Sequence, residues 1–190
     1  MSASSVIAGV TETLQELLIK KQQPKGSFEV SLASPADEKV DDTAKPKVNL
    51  FLFRVTENPF AKNQDWLPAG IGNLHYPPLA LNLFYVLTPF AFNKLDEHRV
   101  LGEAMRVLYE DAIISAPLLK GALEHTSEEI KVDLCQLTIE DLTRIWNALN
   151  KPYRLSVCYE VRILLIDSVF EQPVPRVLEK EMQYFQIVSK

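Results

Sequence analysis

The sequence predicts a single α/β domain of the α+β type, in which a mixed central β-sheet is flanked by about three helices. Three observations carry this prediction. The 190 residues correspond to little more than one domain at about 150 residues each. Segments with helical spacing of apolar residues alternate along the chain with segments of strand-like alternation. Two strands are apolar on both faces, which is typical of the centre of a covered sheet.

The N-terminal part predicts one helix, a short strand and the first central strand. Apolar residues from Val6 to Leu18 recur at helical spacing, and Pro24 lies beyond the end of this helix. Phe28 to Leu32 alternates apolar and polar residues, as a half-buried strand does. A charged loop over residues 34–47 follows. Residues 48–55, VNLFLFRV, are apolar on both strand faces and predict a strand covered on both sides.

The middle of the chain predicts a long loop, the second central strand and a second helix. Residues 56–78 contain four prolines and two glycines without a sustained period, so we expect an irregular loop, and loops of this length are often functional. Residues 79–87 are apolar on both faces. Asp96 and Glu97 open a helix, where their charges suit the positive end of the helix dipole. Its predicted buried stripe consists of Val100, Leu101, Ala104, Val107 and Leu108.

The C-terminal part predicts a short strand, a capped helix and a long strand. Residues 130–134 alternate, and Thr138 with Asp141 matches a capping box. The buried face of this helix is predicted to be Ile139, Leu142, Ile145, Trp146 and Leu149. Pro152 stops it, and residues 155–163 form the clearest alternating strand. We divide the chain into a domain over 1–172 and a C-terminal tail over 173–190, whose pattern fits either a short helix or a strand.

Composition and charge exclude several classes of protein. Apolar residues make up 47% of the chain and charged residues 24%, which excludes disorder as its main state. The net charge of -5 has the wrong sign for binding nucleic acid. The N-terminus has no basic region before an apolar one, and Pro89 interrupts the most hydrophobic stretch, so we expect no signal peptide and no membrane span. Cys135 and Cys158 are expected to be reduced, buried thiols.

No catalytic or cofactor motif is visible in the sequence. The six glycines form no dinucleotide-binding fingerprint. No serine lies in a Gly-x-Ser-x-Gly elbow, and the three histidines lack the spacing of metal ligands. We therefore expect no cofactor, no metal and no enzymatic activity.

Two polar or aromatic residues allow alternative interpretations. Glu160 lies in the predicted long strand between Arg154 and Arg162, where it forms either a cross-strand or diagonal ion pair or a contact between subunits. Trp66 in the long loop either fills the edge of the core or contributes to a protein interface, where aromatic residues are enriched.

Three segments of the sequence resemble one known family: residues 78–88, 101–108 and 142–163. The last segment is the most specific, because it resembles the family's signature of a helix, a Pro-aromatic-Arg-Leu-Ser run and a strand. The residues that carry this signature are Leu142, Trp146, Leu149, Pro152, Tyr153, Arg154, Leu155, Ser156, Val157, Tyr159, Val161 and Arg162. The chain thereby resembles the cap, or tail-terminator, family of phage-tail-like contractile injection particles, as in the antifeeding prophage and the Photorhabdus virulence cassettes.

The resemblance implies a phage tail-terminator-like fold and a structural function without catalysis. It implies a homo-hexameric ring that ends the inner tube and the sheath at the end of the particle distal to the baseplate, with the tube and sheath proteins as partners. It also implies assembly in the cytoplasm, followed by residence in a released or cell-associated particle. An adaptor that docks the particle on a membrane or envelope, and a small-molecule-binding or enzymatic domain, stay open as alternatives.

We expect the subunit contacts to involve the long loop, the polar face of the last strand and the tail. The candidate interface residues are Asn58, Pro59, Phe60, Trp66, Arg154, Glu160, Arg162, Tyr184 and Phe185. The tail is too apolar for a free terminus. It is expected to pack either on its own subunit or on a neighbour or the sheath, as a docked helix or an added strand.

Overall fold

A computed structural model describes residues 5–40, 44–62, 65–68, 73–124, 126, 129–166 and 171–173 of the chain. The helices are α1 (Val6–Lys21), α2 (Lys94–Glu110) and α3 (Ile139–Ala148), with short 3-10 turns at Pro59–Ala61 and Gly121–Leu123. The strands are β1 (Glu29–Ser31), β2 (Lys47–Glu57), β3 (Leu67–Pro68), β4 (Asn73–His75), β5 (Leu79–Phe90), β6 (Ile113–Ile114), β7 (Ile130–Cys135), β8 (Val157–Ile166) and β9 (Glu171–Pro173).

The main sheet has six strands in the order β1-β2-β5-β8-β7-β6. The β1 and β2 strands are parallel, whereas the other neighbouring pairs are antiparallel. The sheet is therefore mixed, and three α-helices accompany it within the described residues. This arrangement confirms the predicted fold class.

The hydrophobic core lies between one face of the main sheet and the helices α1 and α2. All five residues of the predicted α2 stripe are buried, as is the apolar stripe of α1. Burial of each large apolar side chain contributes roughly 1.5–3 kcal/mol. The Asn93 side chain starts α2 by accepting a hydrogen bond from the Leu95 amide at 3.0 Å, which satisfies one of the helix's free donors.

The sequence predicts that β2 is buried on both faces, but only its first half is buried in the structure. Its first residues, from Val48 to Leu50, are buried, but residues 51–57 are half-buried or exposed. The β1 strand pairs with β2 only from Lys47 to Asn49. The described helices of the core pack against one face of the sheet. The prediction of a strand covered on both faces is therefore wrong for the second half of β2.

The stretch predicted as an irregular loop contains regular structure. Its first two residues belong to β2, and β3 and β4 form a second, three-stranded sheet with β9 in the order β3-β4-β9. Strands of two and three residues are too short to show a period in the sequence. Moreover, β4 pairs with a segment that lies about 100 residues away.

The predicted capping box of α3 is confirmed, because Thr138 and Asp141 bond to each other's backbone amides. The predicted buried face is partly wrong. Trp146 is buried with 1% of its surface exposed, whereas Ile139 is 68% exposed. The other three residues of that face, Leu142, Ile145 and Leu149, are half-buried. The helix therefore buries its side chains mainly through its second half, and its first turn faces solvent.

Candidate assembly surfaces

The segment between α3 and β8 is held by buried hydrogen bonds. The Trp146 indole Nε1 donates to the Ser156 hydroxyl at 3.1 Å, and that hydroxyl donates to the Arg154 carbonyl at 3.1 Å. Trp146 and Ser156 are both buried. A buried polar group needs such partners because an unsatisfied one costs about 1–3 kcal/mol. The helix, the Arg-Leu-Ser run and the strand of the sequence signature thus form one joined structural unit.

The Arg154 side chain connects this unit to the beginning of α2. Its guanidinium forms an ion pair with Glu97, which is buried, and lies 4.5 Å from the centre of the Phe90 ring. Glu97 also accepts a hydrogen bond from Lys94 at 3.0 Å. Arg154 therefore connects the signature segment to α2, at a site separate from Glu160.

The polar face of β8 forms a network with the neighbouring strands. The Arg162 guanidinium pairs with Asp133 on β7, which lies diagonally across from it because Asp133 is opposite Glu160. Hydrogen bonding to Asp133 raises the pKa of Arg162. The Glu160 carboxylate accepts a hydrogen bond from the Asn82 side chain on β5 at 2.8 Å. The diagonal ion pair that we considered for Glu160 is thus formed by Arg162 with Asp133, and Glu160 is bonded to a neutral amide.

Aromatic side chains continue this outer face of the sheet toward β2. Phe53 and Phe84 lie with their ring centres 6.4 Å apart, and the Arg54 guanidinium lies 5.3 Å from the centre of the Phe84 ring. Phe53 and Phe84 are half-buried, whereas Arg54 is exposed. This face therefore presents both apolar and charged groups.

The outer edge of β2 and the turn that follows it form a second surface, which we call the β2 edge (residues 50–57 and Phe60). No strand among the described residues pairs with this edge beyond Asn49. The Asn58 side chain accepts a hydrogen bond from the Phe60 amide at 2.9 Å, and Pro59 lies at the start of the 3-10 turn. Phe60 is 97% exposed. A fixed turn thus presents a phenylalanine ring to solvent.

Of the remaining aromatic candidates for an interface, the structure describes only Trp66. Trp66 is half-buried and contacts Tyr76 edge-on, with the ring centres 5.2 Å apart. This partial burial is compatible with both interpretations of Trp66. Tyr184 and Phe185, like the rest of the tail beyond Pro173, lie outside the described residues.

An apolar groove that we did not predict from the sequence lies between α2 and β7. It has a volume of about 480 Å³. Its wall includes Met105 and Tyr109 of α2 and Leu134 of β7, and Tyr109 is 84% exposed. Tyr109 does not belong to the predicted buried stripe of α2. That Tyr109 borders a groove is visible only from the position of α2 on the sheet. We call this surface the α2–β7 groove.

The described part of the chain contains no group of three or more histidine, cysteine or acidic side chains placed to hold a metal ion. Its helices include none with the length and apolar character needed to cross a membrane.

Comparisons with known proteins give one family and two similar folds. The family described as the Pvc16 N-terminal domain matches residues 9–180. Two structures determined by cryo-electron microscopy share the fold. One is the sheath/tube terminator of an extracellular contractile injection system, PVC, in the extended state, with a TM-score of 0.64 and 15% identity over 96% of this chain. The other is the tube-terminating cap of the anti-feeding prophage, with a TM-score of 0.58 and 15% identity over 95% of this chain.

The chain spans less than two thirds of either solved protein, namely 64% of the terminator and 61% of the cap. No curated protein matches the chain by sequence.

Proposed function

The chain belongs to the Pvc16 N-terminal domain family, and on this premise we propose that it is a structural terminator subunit of an extracellular, phage-tail-like contractile injection system. In this proposal six copies form a ring that ends the inner tube and the sheath at the end distal to the baseplate. The family match over residues 9–180 carries the proposal. The fold shared with a sheath/tube terminator and a tube-terminating cap supports it.

The placement of the two apolar surfaces supports a ring. A closed cyclic ring uses a heterologous interface, in which one patch of a subunit meets a different patch of the next. The β2 edge lies toward one end of the main sheet, and the α2–β7 groove lies toward the other end. We therefore propose that the β2 edge of one subunit, with Phe60, packs against the α2–β7 groove of the next.

The polar outer face of the sheet remains for contacts with the tube or the sheath. Glu160 and Arg162 lie on that face, and their bonds to Asn82 and Asp133 hold them in place before a partner binds. We propose Trp66, Tyr184 and Phe185 as further contacts, whereas Arg154 acts in the proposal by holding α3 and β8 against α2. The proposal involves no catalytic step and no cofactor.

The proposal also gives the protein two successive locations. The subunit assembles in the cytoplasm and then becomes part of a released or cell-associated particle. The two solved proteins described above belong to injection particles.

The experiment that tests the terminator role compares particles made with and without this chain. We expect tubes and sheaths of defined length, closed by a six-fold ring, only when the chain is present, and electron microscopy of purified particles measures both. Particles of normal, uniform length without the chain would overturn the proposal.

A second experiment tests the ring interface separately. Phe60→Ser removes an exposed ring from the β2 edge, and Leu95→Ser removes an exposed apolar side chain from the first turn of α2 as the matched control. We expect Phe60→Ser to weaken ring formation at least tenfold with an unchanged thermal midpoint, and Leu95→Ser to assemble normally. Equal assembly by both variants, measured by light scattering, would reject the β2 edge as interface and leave the terminator role standing.

A further inference from the structure

The two cysteines of the chain lie directly opposite each other on neighbouring strands. Cys135, at the end of β7, pairs in register with Cys158 in β8. Both are free thiols, and each lies near enough to the other to influence its pKa. The sequence alone did not reveal this pair, because the register of β7 on β8 is not visible in it.

We propose that Cys135 and Cys158 form a dithiol site that closes to an intramolecular cross-strand disulfide when the protein meets a low-molecular-weight disulfide. Residues opposite each other in an antiparallel ladder have Cα atoms about 4.5–5.5 Å apart. A disulfide accepts Cα separations of about 4.4–6.8 Å. The register therefore places the two cysteines at a separation that a disulfide can span.

The two thiols differ in solvent exposure, and this difference determines which thiol reacts first. Cys135 is half-buried, whereas Cys158 is buried. The Cys135 thiolate attacks one sulfur of the small disulfide, which releases one small thiol and leaves a mixed disulfide on Cys135. The Cys158 thiolate then attacks the Cys135 sulfur and releases the second small thiol. In the net reaction the two protein thiols are oxidised, and the small disulfide is reduced to two thiols.

The reaction is expected to be slow at neutral pH. Burial raises the pKa of both thiols, and the nearby carboxylates of Asp133 and Glu160 raise the pKa of Cys135 further, while Arg162 opposes them. The thiolate fraction is therefore small. A slow reaction suits a change that occurs once in the life of a particle rather than a rapid cycle.

The bond would strengthen the attachment of β7 to β8. On its outer side, β7 pairs with β6 only at Ile130 and Lys131, and β7 forms one wall of the α2–β7 groove. A disulfide at Cys135 would add a covalent link between β7 and β8 at the end of β7 that β6 does not reach. The setting for this change rests on the proposed function, because the particle passes from the reducing cytoplasm to an oxidising exterior.

The test treats the purified full-length chain with oxidised glutathione and measures intact mass and free thiols in denaturant. We expect the wild type to lose both thiols and two hydrogen atoms of mass, and its thermal midpoint to rise by about 5 °C or more. Cys158→Ser should stop at a mixed disulfide with glutathione on Cys135. Cys135→Ser should react only after unfolding, because Cys158 is buried.

Three outcomes would overturn the inference. They are a wild type that keeps both thiols, one that stops at a stable mixed disulfide, and one that forms dimers through Cys135. Because the test uses the isolated chain, its result does not depend on whether the chain forms a ring or ends a tube.

Discussion

Truncation of Trp146 to alanine is the sharpest test of how the signature segment is held. The side chain is buried with 1% of its surface exposed, and its indole Nε1 donates to Ser156. A tryptophan buries about 200 Å², which corresponds to about 5 kcal/mol as an upper estimate. Truncations of aromatic core residues cost about 3–5 kcal/mol. For a chain of this size we expect the thermal midpoint to fall by about 6–20 °C.

The matched control lies in the same helix. Ile139 belongs to the same apolar stripe in the sequence but is 68% exposed in the structure, so Ile139→Ala should change the free energy of unfolding by less than about 0.5 kcal/mol. Trp146→Phe should fall between the two, because it keeps most of the ring but removes the hydrogen bond. Urea unfolding followed by circular dichroism measures all three variants.

The result that would refute this reasoning is a similar loss of stability in Trp146→Ala and Ile139→Ala. Such a result would mean that Ile139 is buried together with Trp146, as the sequence pattern predicts. The structure instead leaves Ile139 in solvent.

Further predictions concern stability, pH and the tail. Arg154→Ala leaves the buried Glu97 without its guanidinium and should cost about 3 kcal/mol in urea unfolding, whereas the exposed pair of Arg99 makes Arg99→Ala a near-neutral control. Burial raises the pKa of Tyr85 to about 12, because the fold favours the neutral phenol. The stability that the neutral phenol contributes is complete below about pH 10 and is lost as the pH rises toward 12. Tyr85→Phe should therefore lose less stability than the wild type over this range, and an equal loss would contradict the assignment. Deletion of the tail, residues 173–190, should leave a folded subunit that fails to close rings or cap sheaths; an unfolded subunit in circular dichroism would show that the tail belongs to its own core.

The long elements of the fold were predictable because their side chains carry a clear period. The stripe of α2 and the two-sided burial of β5 follow from residue spacing alone. The second sheet was not predictable, because two- and three-residue strands have no period and β4 finds its partner in β9, far along the chain.

The sequence suggested candidate interface residues but did not reveal how their side chains pair within the subunit. The exposed turn at Phe60 falls where the sequence placed an interface candidate. Asp133 was missed as the partner of Arg162 because the register between β7 and β8 decides which charges meet. The exposure of Ile139 was missed for a similar reason, since a capping box predicts where a helix begins but not how it lies on the sheet.

In the proposed ring, the turn that presents Phe60 affects how quickly and how tightly a neighbouring subunit binds. The Asn58 side chain and the Pro59 ring fix the backbone of this turn in the free subunit. When a partner covers the phenylalanine ring, little backbone freedom is left to be lost there, and ordering of flexible segments is a major cost of association. Preorganisation of this kind also favours a rapid encounter, because no rearrangement must precede docking. In the proposed ring, the most exposed aromatic side chain among the described residues would therefore reach the partner already in the shape in which it binds.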